Sequence, residues 1–406
     1  MKGGELIAAS VAVSADTVYT IPGYPVTTLG EKTNAEFVVN EKTALEYAIG
    51  DSLAGKRSAV IVKNAGMNAL ADPLVITTTQ GLRKGILIIA GDDTEAKGSQ
   101  NRQDSRYFAE VAEVPLIEPN ERSIHYAVEH GFSASERYSR IAILRVTQDI
   151  LEGVVPGTAT PAEREEGSGS LAGQGLTMKG RSQLADNITR KMFAESKYPG
   201  IYPPPSNPWM RRETEEKGRA FIADHRTATP PPYTPEPETM VSRGYARGIC
   251  RNCPYKPLFE IIRDSGAEAI CDTGCSLLSK NPPYGFGIAN YGLGSSVAVA
   301  AKSTGLALTG DYAILHSGLN SMIDIWQKGV PVLCIVLVNM KAAMTGMKEV
   351  QDILPYIGWA KPQSLDCSKE SVDIITEKLG EKRTKPEILL VYGQCPEGEE
   401  HEAIKC

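Results

Sequence analysis

Asp311 and Asn339 stand 28 positions apart and carry the clearest chemistry in this sequence. An apolar run, LALT, leads into Gly310 and Asp311; a helix-like stretch follows, and a second apolar run, PVLCIVLV, ends at Asn339. If both runs are strands of one parallel sheet, both residues emerge at its carboxyl edge, where open α/β sheets bind ligands. A carboxylate, an amide oxygen and a nearby backbone carbonyl form a hard-oxygen half-shell. That shell suits a magnesium ion whose remaining ligands are diphosphate oxygens. Gly310 lets the backbone approach those oxygens closely. The competing structural reading makes Asp311 a helix N-cap and Asn339 a turn residue.

The cysteines form the second constellation. Cys250 and Cys253 lie in CRNCP, and with Cys271 and Cys275 they give C-x2-C-x17-C-x3-C. Four thiolates at such spacings could hold a [4Fe-4S] cluster or a structural zinc, or remain free thiols. Cys271, at a strand end, reads either as the fourth ligand or as core; Cys334, inside PVLCIVLV, reads as core. Cys367, Cys395 and Cys406 have no clear partner. A chain of 406 residues with eight cysteines does not read as a disulfide framework.

These residues need elements to position them. Residues 1–150 alternate strand-length apolar runs (16–22, 58–63, 85–92, 114–119, 140–146) with helix-like segments at 41–55 and 121–134. That βα rhythm predicts an α/β domain with a mostly parallel sheet. Over 151–245, GSGS, PPPSNP and TPPPYTPEP predict a long Pro/Gly-rich linker, with one helix around Gly180 to Ser196. Its Tyr198, Tyr202 and Trp209 would suit a chain that wraps over a folded surface. The rhythm returns over 246–406, with strands expected at 267–271, 306–311, 331–339 and 387–392, and predicts a second α/β domain.

Composition narrows the class. A net charge of −6 offers no basic face for nucleic acid, and 42% hydrophobic with 23% charged residues is the balance of a soluble globular protein. The N-terminus does not read as a signal peptide and no apolar run reaches membrane-spanning length, so a cytoplasmic location without membrane contact is expected.

The text around Asp311 adds a resemblance. HSGLNSMIDI (316–325), NMKAAMTG (339–346) and ANYGLGSSVAVA (289–300) resemble segments of the indolepyruvate:ferredoxin oxidoreductase alpha subunit, a thiamine-diphosphate enzyme of the 2-oxoacid:ferredoxin oxidoreductase family. TIPGYPVT (20–27), VNEKTALEYAIGDSLAGKRSAV (39–60), KNAGMNALADPL (63–74) and SQNRQDSRYFAEVAEVPLIEP (99–119) resemble its pyrimidine-binding domain, in the same order. The resemblance covers about 1–150 and 246–350. It implies two thiamine-diphosphate-binding-fold domains, 1–150 for the pyrimidine and 246–406 for the diphosphate.

Glu41 falls on the family's glutamate beside the aminopyrimidine ring, a carboxyl that favours the imino tautomer and belongs in a dry place with a raised pKa. Glu46, on the same helix, reads as a solvated residue. Carried over likewise, Gly23, Tyr24, Pro25, Asn68, Tyr291, Gly292, Gly294, Gly310, His316, Ser317, Met344 and Thr345 line the cofactor. Asp311, Asn339 and the Lys341 carbonyl hold magnesium. The implied reaction is oxidative decarboxylation of a 2-oxoacid with coenzyme A, electrons passing to an iron–sulfur cluster or ferredoxin.

Departures from the family leave other outcomes open. The ferredoxin-like tail is missing, Tyr312 replaces a small residue and Ala342 replaces a threonine. A non-oxidative 2-oxoacid decarboxylase and a non-catalytic scaffold of a redox complex are the alternatives. The two halves of such a site commonly come from different subunits, which implies at least a homodimer, with a smaller oxidoreductase subunit as a further partner.

Overall fold

The computed structural model describes residues 1–101, 103–156, 158–195, 235–243 and 248–397. The chain divides into two compact units, Met1–Ala172 with Met178–Glu238, and Gly173–Thr177 with Thr239–Cys406. The linker aromatics Tyr198, Tyr202 and Trp209, and Cys406, lie outside the described residues.

The first unit is built on β1 (Thr17–Thr20), β2 (Glu36–Phe37), β3 (Ser58–Lys63), β4 (Ile86–Asp92), β5 (Leu116–Ile117) and β6 (Ala142–Thr147). They form one parallel sheet in the order β2-β1-β3-β4-β6-β5. The central strands are near-continuous apolar runs because helices cover both faces, so neither face alternates with polar residues. A core of Leu6, Val11, Ile61, Leu87, Ile89, Phe132 and Leu144 fills one side. Strand order reverses between β1 and β3, and the loops that leave these two strands open at the carboxyl edge.

Helix Glu41–Leu53 begins on an Asn40 cap, whose side chain accepts the Thr43 N–H at 2.8 Å. Residues 43–53 are buried all round, with Ala44, Ala48, Gly50 and Ser52 admitting close neighbours. The expectation for Glu46 is therefore corrected: it is 1% exposed, and Lys42, one turn earlier, pairs with it at 3.1 Å. Its place on an interior helix, rather than any special chemistry, excludes it from water.

Part of the Pro/Gly-rich segment lies along the first unit. Ala162 N–H donates to the His125 carbonyl, Gly169 N–H to that of Arg83 and Ala172 N–H to that of Gln80. Arg164 donates to both carboxylate oxygens of Asp16, at 2.8 and 3.2 Å. Beneath it, fully buried Arg57 pairs with Glu129 at 2.8 Å and Glu136 at 2.7 Å and donates to the Glu165 carbonyl. A helix follows at Met178–Ala194.

The second unit holds β7 (Ala269–Cys271), β8 (Gly287–Ala289), β9 (Leu306–Gly310), β10 (Val332–Val338), the hairpin strands β11 (Lys341–Ala342) and β12 (Lys348–Glu349), β13 (Gln363–Leu365) and β14 (Pro386–Tyr392). Its six-stranded parallel sheet runs β13-β14-β10-β9-β7-β8. Counted from its own first strand, this is the strand order of the first unit. The reversal again falls between the first and third strands, here β7 and β9. No helix among the described residues is long and apolar enough to cross a membrane.

Candidate active site

Asp311 and Asn339 each follow the last residues of adjacent strands, since Gly310 on β9 stands in register with Leu337 on β10. Asp311 is 2% exposed. One carboxylate oxygen accepts the Tyr312 N–H at 2.7 Å; the other accepts Asn339 N–H at 3.2 Å and Met340 N–H at 2.7 Å. Burial raises its pKa above the usual carboxylate value, against these N–H groups, which favour the ionised form. Met340 takes a left-handed φ of 52°, turning the chain into the β11–β12 hairpin. The Asn339 amide nitrogen donates to Cys395 Sγ at 3.1 Å and its oxygen accepts the Lys341 N–H at 3.0 Å. Because an amide oxygen has two lone pairs, one is left for a cation. No atom lies within 4 Å of where a Cβ on Gly310 would stand, so the strand end faces open space. Carboxylate, amide oxygen and backbone carbonyl are the hard donors that magnesium takes, and the residues fit that ion with a diphosphate.

Beside them lies the glycine loop. Gly292 and Gly294 have φ of 122° and 87°, values that side chains rarely adopt. A Cβ on Gly294 would come within 2.5 Å of Gly318 N and Ser317 Oγ, so the loop packs directly on the turn after Asp311. The residue that fixes the loop is Asp272, which the sequence reading passed over. Fully buried just after β7, it accepts N–H groups from Gly294 at 2.6 Å and Ser295 at 3.1 Å. The Ser296 and Thr309 hydroxyls donate to it at 2.5 and 2.6 Å. Its position in DTGC, at the end of a short apolar run, was the available signal.

Tyr291 is fully buried under the loop, whereas His316 is exposed, its ring 5.9 Å from that of Tyr312. Met344 and Lys341 are half-buried and Thr345 is exposed on the hairpin turn.

The thiols divide. Cys271 is fully buried, within 3.0 Å of the Ser279 hydroxyl, and burial pushes its thiol up to about 12. Cys334 is core. Cys253 and Cys275 pack at the margin of the same core as Cys367. Burial pushes the Cys253 thiol up to about 11, opposed by a backbone N–H from Tyr255 and assisted by Cys250, Cys395 and Cys367. Among the described residues, no three Cys, His, Asp or Glu side chains converge closely enough to hold a metal ion.

The first unit gathers its own group at the carboxyl edge between β1 and β3. Gly23, Tyr24 and Pro25 follow β1, and the Lys63 stem lies where a Cβ on Gly23 would come within 2.6 Å of it. Glu41 opens the helix after β2 and is half-buried within this unit, which by itself does not supply the dry setting expected. Its carboxylate lies against Gly66, at the start of helix Gly66–Gln80. Asn68 is exposed on that helix and donates to Gln103 Oε1 at 3.0 Å.

A family model described as "Thiamine pyrophosphate enzyme, C-terminal TPP binding domain" matches residues 272–364, the span that opens on Asp272 and includes Asp311 and Asn339. The chain is 32% identical over 173 residues to the indolepyruvate oxidoreductase subunit IorA of Methanothermobacter marburgensis, covering 40% of this chain and 28% of that protein. It is 39% identical over 113 residues to the IorA of Archaeoglobus fulgidus, covering 27% and 18%. The chain thus spans less than a third of the length of these relatives. In fold it is similar to the thiamine diphosphate-dependent 4-hydroxybenzoylformate decarboxylase of Rhodococcus jostii RHA1, with a TM-score of 0.61 over 98% of this chain and 100% of that one. At 14% identity that likeness speaks for the fold alone. By these matches, the chain is similar over part of its length to the indolepyruvate oxidoreductase IorA subunits and has the fold of thiamine-diphosphate enzymes.

Proposed function

We propose that this chain binds thiamine diphosphate with magnesium and carries out the oxidative decarboxylation of a 2-oxoacid, an aryl acid such as indolepyruvate, as the catalytic subunit of an oxidoreductase. The observation that carries this reading is the pairing of Asp311 and Asn339 at adjacent strand ends beside an ordered glycine loop. When bound, thiamine diphosphate supplies a carbon that adds to the substrate carbonyl and takes up the electron pair left as carbon dioxide departs.

The chain's own residues have separate tasks. Asp311, Asn339 Oδ1 and the Lys341 carbonyl hold the magnesium ion, and the loop over Gly292 and Gly294 lets the backbone close on the diphosphate. Glu41 holds a proton at the pyrimidine nitrogen, which makes the neighbouring amino group basic enough to activate the reacting carbon. Tyr24, Asn68 and His316 flank the substrate. The two carboxyl groups serve opposite ends of one cofactor, and at least a homodimer, with a smaller partner subunit, completes the enzyme.

The balanced reaction is 2-oxoacid, coenzyme A and two oxidised ferredoxins giving acyl-coenzyme A, carbon dioxide, two reduced ferredoxins and a proton. No step is routed through a cluster on this chain. The test is an anaerobic assay of the purified chain and its partner with indolepyruvate, coenzyme A, thiamine diphosphate, magnesium and a viologen dye as electron acceptor. Dye reduction that requires both the oxoacid and coenzyme A is expected. Aldehyde release without an acceptor would overturn the oxidative reading, and no turnover of any 2-oxoacid would overturn the catalytic one.

A further inference from the structure

The three atoms nearest to a Cβ built on Gly66 all belong to Glu41: Oε1 at 2.7 Å, Cγ at 2.8 Å and Cδ at 3.0 Å. Contacts under 3 Å are too close for carbon, so one partner must move. The backbone conformation does not call for glycine here. Gly66 does not have a left-handed φ, and it opens a helix of 15 residues, where alanine is the more favourable residue by about 1 kcal/mol. Its helix packs on the one that Glu41 opens. The missing side chain therefore serves the carboxylate rather than the backbone.

We propose that Gly66 is a positioning residue for Glu41: its lack of a Cβ lets the carboxylate rest where it meets the pyrimidine ring. The inference rests on the role assigned to Glu41 above and adds what holds that group in place. A methyl at Gly66 displaces the Glu41 side chain from its Cγ outward and leaves the helix intact. Fold and cofactor binding are kept while proton transfer suffers, because a misplacement of about 1 Å can cost about 100-fold in rate.

The test uses the full chain in five forms: wild type, Gly66→Ala, Glu41→Gln, Glu41→Ala, and Gly66→Ala combined with Glu41→Ala. Three quantities are read: the melting temperature without cofactor, the affinity for thiamine diphosphate with magnesium, and the rate at which the C2 proton of the bound cofactor exchanges with deuterium, followed by NMR. Gly66→Ala is expected to melt at or above the wild-type temperature and to bind cofactor as before, with exchange slowed about 100-fold. Glu41→Ala takes away all three atoms that a methyl at Gly66 would meet, so adding Gly66→Ala to that background costs little beyond Glu41→Ala alone.

Wild-type exchange in Gly66→Ala, with slow exchange in Glu41→Gln, overturns the positioning role and leaves the Glu41 assignment standing. Wild-type exchange in Glu41→Gln overturns both. If Gly66→Ala melts lower, the Glu41→Ala background decides: relief of the loss supports the proposal, and an unchanged loss overturns it.

Discussion

Two buried aspartates one residue past neighbouring strands, Asp272 and Asp311, do different work because their partners differ. Asp272 accepts two backbone N–H groups and two hydroxyls, from the glycine loop, the helix start after it and β9. Asp311 receives only backbone N–H groups and stands beside open space at Gly310. The first is built to hold the loop and the second to meet a ligand. Asp272→Ala leaves those four donors buried without an acceptor, and a loss of about 3 kcal/mol of stability is expected in urea unfolding. A stability equal to wild type would remove Asp272 from that role. The GD-to-N pattern made Asp311 legible. Asp272 was not, because its partners return from residues 294–296 and 309, and no local spacing shows such contacts.

At the scale of elements, the long parallel strands were readable because both faces are covered and the runs are continuously apolar. β2 and β8, of two and three residues, are too short to carry a pattern. Helix Glu41–Leu53 misled for a related reason: Ala, Gly and Ser on its polar-looking face pack as closely as leucines do, so Glu46 is interior. The strap over residues 158–172 lies in the segment read as a linker, and its anchor at Arg57 leaves no local signal in the sequence. Arg57→Ala strands Glu129 and Glu136 without their cation, and a cost of about 3–5 kcal/mol is expected in urea unfolding.

The strap also has a pH dependence of known sign. The hydrogen bond from Arg164 holds the Asp16 carboxyl below its usual value, outweighing the opposing effect of partial burial. A depressed acid stabilises the fold above its unfolded pKa of about 4 and loses that effect as pH falls through the lower, folded value. Amide exchange at Ala162 and Glu165 is therefore expected to be level from neutral pH down to about 4, once corrected for intrinsic rates, and to accelerate below it. The same loosening is expected at neutral pH in Arg164→Ala.

At the scale of the molecule, two units with one strand order each bring a chemically distinct group to the same topological position, the carboxyl edge at the strand-order reversal. In the first unit it is Glu41 with Gly23 and Gly66; in the second it is Asp311 and Asn339 with the glycine loop. The βα rhythm of the sequence disclosed the two parallel sheets, and the site residues were proposed from family resemblance. It disclosed Cys334 as core but not Cys271, because Cys271 ends a strand in either reading and only packing against Ser279 decides its direction.

The most direct measurement is calorimetric titration of the chain with thiamine diphosphate in magnesium and again in EDTA, for wild type and Asp311→Ala. Saturable binding that requires magnesium, and is lost in Asp311→Ala, is expected. Absence of binding, or binding in Asp311→Ala indistinguishable from wild type, would contradict the account.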